Sequence, residues 1–120
     1  MSRLLKSFRY AFLGLRQAWK TEQNFRLQTL AGALVFLLAW YVHLSALRLI
    51  VVVLLITLVL VLELLNTFFE RLVDLISPRI HAYAAMLKDL LAASVFVASI
   101  GAVVAGILIF LPYLPSVHWW

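Results

Sequence analysis

The hydrophobic pattern divides the chain into one segment of mixed apolar and basic positions and three long apolar runs. In residues 1–26, Leu4, Leu5, Phe8, Phe12, Leu15 and Trp19 recur at helical spacing. Arg3, Lys6, Arg9, Arg16 and Lys20 take most of the remaining positions. This predicts an amphipathic helix lying on a membrane surface. Residues 27–47 form the first apolar run, with Gln28 and Thr29 at one end and Tyr41, His43 and Ser45 at the other. Residues 49–76 and 90–111 form the second and third. Each is long enough to cross a hydrocarbon core as a helix, which takes about 20 residues. The pattern therefore predicts an all-α membrane protein, a single domain over 1–120 with one surface helix and three transmembrane helices.

The boundaries have physical causes. The connection around His43–Arg48 is very short, so the first two spans are expected to be antiparallel neighbours. Ser77-Pro78 is expected to end the second span, because proline restricts the residue before it and has no N–H to donate. Residues 79–88 then form a short link. Pro112 and Pro115 stop the third span. Its Ala98, Ala102 and Gly106 recur every four residues, a small-residue stripe suited to close helix packing. Trp40, Tyr41, Trp119 and Trp120 suit membrane interfaces.

Composition supports this reading and adds direction. The chain is 66% hydrophobic and only 12% charged, and its mean hydropathy is +1.07. Soluble domains are about a quarter charged. A pI near 10.1 raises nucleic acid as a partner, but six of the ten Lys/Arg residues precede the first span. Such clustering fits anionic headgroups and places the N-terminus in the cytoplasm and the C-terminus outside. No nucleic-acid partner is expected. The absence of Cys excludes disulfides and thiolate metal sites, and no secretory leader is expected at the N-terminus.

The second span carries the candidate chemistry. At 100° per residue, Glu63, Asn66, Glu70 and Asp74 fall at about 0°, −60°, −20° and +20°, one narrow polar stripe. A carboxylate in a spanning helix is costly and by default marks function. Glu22 and Asp89 complete the five acidic residues, and the predicted orientation puts both at the same membrane surface as Glu70 and Asp74. Such a cluster suits Mg²⁺ and a phosphorylated nucleotide, since Mg²⁺ takes one or two carboxylates plus substrate phosphates. Glu22 and Glu70 are candidate metal ligands if the surface helix folds back on the second span. Lys88, with Arg3 or Arg9, can neutralise phosphate charge. Glu63, about two turns deeper than Glu70 and roughly 10 Å away along the axis, is placed to meet a lipid hydroxyl as general base. Asn66 can orient either partner. No glycine-rich phosphate loop occurs, which excludes a soluble-type nucleotide fold.

The run from Glu63 through Asn66, Thr67, Glu70 and Asp74, followed by His81 and then Lys88-Asp89, resembles the signature of the small prokaryotic diacylglycerol kinase and undecaprenol kinase family. Residues 11–26 resemble its N-terminal region, and the likeness covers about residues 3–111. The resemblance implies a homotrimer of three-span protomers in a bacterial inner membrane, with active sites shared between protomers. It implies transfer of the ATP γ-phosphate to a lipid alcohol, either diacylglycerol or undecaprenol, with Mg²⁺ as cofactor. By position, Glu63 and Asn66 are catalytic, and Glu22 and Glu70 bind metal. Arg3, Tyr10, Glu22, Glu70, His81, Lys88 and Asp89 contact the nucleotide. Arg16, Asn66 and Asp74 support the lipid and the catalytic stripe.

The chain departs from the family pattern at Phe68-Phe69, at Met86 and in the run Leu90-Leu91-Ala92-Ala93-Ser94. Bulk at Phe68 and Leu91 is expected to narrow the gap between the second and third spans, which bears on lipid selectivity. Two other readings of the residues are a small oligomeric transporter using Glu63 to bind a cation or proton, and a catalytically degenerate scaffold. A transporter has no use for the cytoplasmic Lys88-Asp89 pair.

Overall fold

The computed structural model describes residues 2–76 and 81–115. Four α-helices follow one another, α1 (Arg3–Thr21), α2 (Gln23–Tyr41), α3 (Ala46–Ile76) and α4 (His81–Phe110), closed by a 3₁₀ turn at Leu111–Tyr113. No strand occurs among the described residues. α3 packs against both α2 and α4, while α1 touches α2.

Two of the helices, Ala46–Ile76 and Ala82–Tyr113, are long and apolar enough to cross a membrane. Only 11% and 6% of their apolar windows are buried within the chain, unlike the core helices of soluble proteins. α2 has 19 residues, about 28 Å of helix, but it opens on Gln23, Asn24, Arg26 and Gln28, so less of its length is apolar.

The helix boundaries differ from the sequence pattern in several places, including the end of α2 at Tyr41 instead of 47. The first helix ends at Thr21 instead of running to 26, because Glu22 takes an extended conformation (φ −115°, ψ 107°). The Arg26 guanidinium then folds back, donating to the carbonyls of Trp19 at 2.7 Å and Lys20 at 3.2 Å. Those carbonyls are among the ones a helix end leaves unpaired. The expected 79–88 link also differs, since α4 already begins at His81. Ala82, Ala84, Ala85, Met86 and Leu87 are good helix formers. The α3 start moves from 49 to Ala46, where Ser45 Oγ accepts from Arg48 N at 3.3 Å. The Ser77-Pro78 stop, Arg79, and Trp119 and Trp120 lie outside the described residues.

The turn between α2 and α3 is a Schellman close. His43 N donates to Trp40 O and Leu44 N to Ala39 O, both at 3.2 Å, and His43 sits at φ 57°. That left-handed position usually holds glycine. On the same end, Arg48 Nη1 donates to Ile109 O at 2.9 Å and its guanidinium lies 5.8 Å from the Tyr113 ring. Arg48, in the first turn of α3, thereby ties this end of the helix to the end of α4.

The molecule is a slab of 58 × 44 × 21 Å. Its thickness is about two helix diameters. The accessible surface is 9278 Å², against roughly 6,600 Å² for a soluble globule of this mass. Among the described residues, buried apolar ones are few: Ala18, Phe25, Ala39, Val52 and Val95. So much exposed apolar surface needs lipid or other protein to cover it.

Within the chain, close helix approach is at Gly32. A Cβ there would stand 2.8 Å from Ile56 Cγ2, whereas one at Gly106 would meet nothing within 4 Å. The Ala102 and Gly106 positions instead line an open apolar groove of about 470 Å³ between α2, α3 and α4.

Candidate functional site

Glu63 is buried, with 3% of its surface exposed, and Thr67 one turn along is 8% exposed. Both lie on the same side of α3 as Val52, within about 60° around the helix axis. This side packs against its helical neighbours while Leu54, Leu58, Val61 and Leu65 point outward. The Glu63 carboxylate accepts a hydrogen bond from Gln28 Nε2 of α2 at 3.3 Å. Gln28 Oε1 and Asn66 Oδ1 are also buried, and among the described residues neither has a hydrogen-bond partner. A carboxylate flanked by two buried acceptors is a place for a hydrogen-bond donor, and an alcohol hydroxyl is one.

Glu22 reaches this region because α1 and α2 fold at its own backbone. Glu22 and Glu70 both come within electrostatic reach of Glu63. Glu22 Oε1 is paired with Arg71 Nη2 at 2.9 Å, and the same nitrogen donates to Thr21 Oγ1 at 2.7 Å. This pair fastens the end of α1 to α3. Glu70 is half-buried. Among the described residues no three His, Cys, Asp or Glu side chains gather closely enough to hold a metal ion by themselves. Glu22 and Glu70 are two hard oxygen donors, which suits Mg²⁺ completed by phosphate oxygens. They fit the ion on donor chemistry, provided Glu22 leaves Arg71.

The remaining candidates lie on α1, α3 and α4. Asp74 pairs with Lys88, an ion pair linking α3 to α4. Asp89 is exposed next to it. Arg3, Tyr10 and Arg16 are exposed along α1. His81 opens α4, and its side chain lies outside the described residues.

Tyr10 and Arg71 line an open, mainly apolar groove of about 690 Å³ between α1 and α3. Phe68 lines it too. The bulk of Phe68 thus faces the α1 side, not the gap between α3 and α4 that its sequence position suggested. Its ring meets Phe69 edge-on at 5.2 Å. Neither groove is lined by Glu22, Glu63 or Glu70.

Two site residues were not singled out by sequence. Gln28 looked like a polar residue at a span end, and Arg71 counted only as a cytoplasmic positive charge. Their partners are 35 and 49 residues away, so only the register of α2 and of the α1–α2 bend against α3 reveals them.

The sequence profile described as prokaryotic diacylglycerol kinase matches residues 9–110. The chain belongs to the prokaryotic diacylglycerol kinase family. It is 43% identical over 114 residues to a diacylglycerol kinase of Synechocystis sp., covering 94% of this chain and 65% of that protein. It is 38% identical over 114 residues to an undecaprenol kinase of Bacillus subtilis, covering 95% and 93%. With a diacylglycerol kinase of Escherichia coli strain K12 the identity is 32% over 103 residues, covering 86% and 84%. The chain thus spans just under two thirds of the Synechocystis relative and nearly all of the Bacillus one. The family match speaks for a kinase ancestry and against the transporter reading.

Proposed function

We propose that this chain is an integral membrane lipid kinase that transfers the γ-phosphate of ATP to the hydroxyl of a lipid alcohol, diacylglycerol or undecaprenol. The observation that carries the reading is Glu63, buried and hydrogen-bonded in a helix that otherwise exposes apolar residues. In the reaction the lipid hydroxyl donates its proton to Glu63, and its oxygen attacks the γ-phosphorus. The bond from that phosphorus to the β–γ bridging oxygen breaks, and ADP leaves. Asn66 holds the hydroxyl toward Glu63. Glu22 and Glu70 would hold Mg²⁺ together with the nucleotide phosphates, and the ion would supply neutralisation of phosphate charge. Arg3, Tyr10, His81, Lys88 and Asp89 contact the nucleotide, while Arg16 and Asp74 support the lipid and the stripe.

α1 lies amphipathically on the cytoplasmic face, and α2, α3 and α4 cross the membrane, with the C-terminus outside. Protomers assemble as trimers with active sites completed between neighbours. The large accessible apolar surface supports this, since it needs a covering partner.

The test is the full chain reconstituted in vesicles with Mg-ATP, comparing phosphate transfer to diacylglycerol and to undecaprenol. Transfer to at least one is expected, falling about a hundredfold or more in Glu63→Gln with helical circular dichroism retained. Unchanged turnover in that variant removes Glu63 from its role, and transfer to neither lipid removes the reading.

A further inference from the structure

We propose that Arg71 is an exchangeable counter-ion: it neutralises Glu22 until a divalent cation takes that carboxylate, and the freed guanidinium then binds nucleotide phosphate. The proposal rests on the reading of Glu22 as a metal ligand.

The geometry is specific. One nitrogen, Arg71 Nη2, donates both to Glu22 Oε1 and to Thr21 Oγ1. Thr21 spends its own proton on Gln17 O at 2.8 Å, leaving its oxygen free to accept. The guanidinium is thus fixed at the bend between α1 and α2. Glu63 and Glu70 have no cationic partner among the described residues, whereas Glu22 does. Lys88, the other cation of this end on α3 or α4, is already engaged by Asp74. Among the described residues, Arg71 is therefore the cation that stands directly on one of these candidate carboxylates.

The strength of the contact favours exchange. The two side chains are 45% and 27% exposed, and an ion pair of that kind shifts an equilibrium only about two- to fivefold. A divalent cation shared by Glu22, Glu70 and phosphate oxygens replaces it readily. Once the ion is on Glu22, Arg71 stands beside a like charge, and the nearest anions are the phosphates. Guanidinium binds phosphate through two parallel hydrogen bonds, which an ammonium group cannot reproduce.

The test uses the full chain in detergent micelles, with Mn²⁺ as the probe read by electron paramagnetic resonance, first alone and then with ATP. Helical circular dichroism and elution volume check folding. Arg71→Met is expected to bind Mn²⁺ alone about two- to fivefold more tightly than the parent. The same variant is expected to bind Mn-ATP about threefold or more weakly. Arg71→Lys, which keeps the charge without the fork, falls between them on both measurements. Unchanged or weaker Mn²⁺ binding by Arg71→Met overturns the exchange, and so does Mn-ATP binding as tight as the parent's. Glu22→Gln separates the two levels. If it binds Mn²⁺ like the parent, the ligand assignment itself fails. If it loses Mn²⁺ while Arg71→Met is unchanged, only the exchange fails.

Discussion

Gln28 of α2 and Glu63 of α3 meet at 3.3 Å, amide nitrogen to carboxylate oxygen. A neutral donor fixes the carboxylate's direction without cancelling its charge, which is what the role proposed for Glu63 needs from a supporting residue. Gln28→Leu keeps the bulk and removes the donor. A hydrogen bond to a charged group is worth about 1.5–3 kcal/mol, and at this length the lower end applies. We expect kcat to fall about tenfold while KM for ATP stays unchanged. Steady-state kinetics with varied ATP check this, and an equal rise in KM contradicts a positioning role.

The Asp74–Lys88 pair joins α3 to α4 with side chains 60% and 37% exposed. Exposed pairs contribute about 0.2–1 kcal/mol. In a double-mutant cycle of Asp74→Asn and Lys88→Met, thermal denaturation in detergent should give a coupling within that range. If Lys88 also contacts nucleotide, Lys88→Met raises KM for ATP more than Asp74→Asn does. Equal KM values for the two variants leave Lys88 with a structural role alone.

Gly32 is the position where α2 and α3 come close. A methyl group there stands 2.8 Å from Ile56 Cγ2, a branched carbon that cannot swing aside. Overpacking of this kind costs about 1–3 kcal/mol, and the better helix propensity of alanine recovers about 1 kcal/mol at most. Gly32→Ala should lower the midpoint of thermal unfolding. Gly101→Ala, with nothing within 4 Å inside the chain, serves as the comparison and should be neutral or stabilising.

His43 holds the left-handed position of the α2 close at φ 57°. A side chain there costs about 1–2 kcal/mol relative to glycine, offset in part by glycine's freedom in the unfolded chain. His43→Gly is expected to be neutral or stabilising by up to about 1 kcal/mol, with kinase activity unchanged. A clear loss of stability points to a contact made by the imidazole itself.

The stripe of Glu63, Asn66, Glu70 and Asp74 was legible from sequence because helical spacing is local: residues three, four and seven apart share a face whatever surrounds them. The same locality exposed the apolar runs, and the residue types along the stripe carried the family likeness. Where the chain bends was less legible. The break at Glu22 depends on Arg26 reaching back to Trp19 and Lys20, and the early start of α4 depends on propensity outweighing polarity at 81–88.

The linear order of residues therefore determined the helical class, the long apolar segments and the polar stripe of the second span. The tertiary structure alone decided that Gln28 holds Glu63, that Arg71 sits on Glu22, and that close packing runs through Gly32 and not through Gly106. Those are contacts between residues tens of positions apart on different helices. Their existence turns on the rotation and axial register of each helix against the next, and side-chain spacing within one helix carries no information about either.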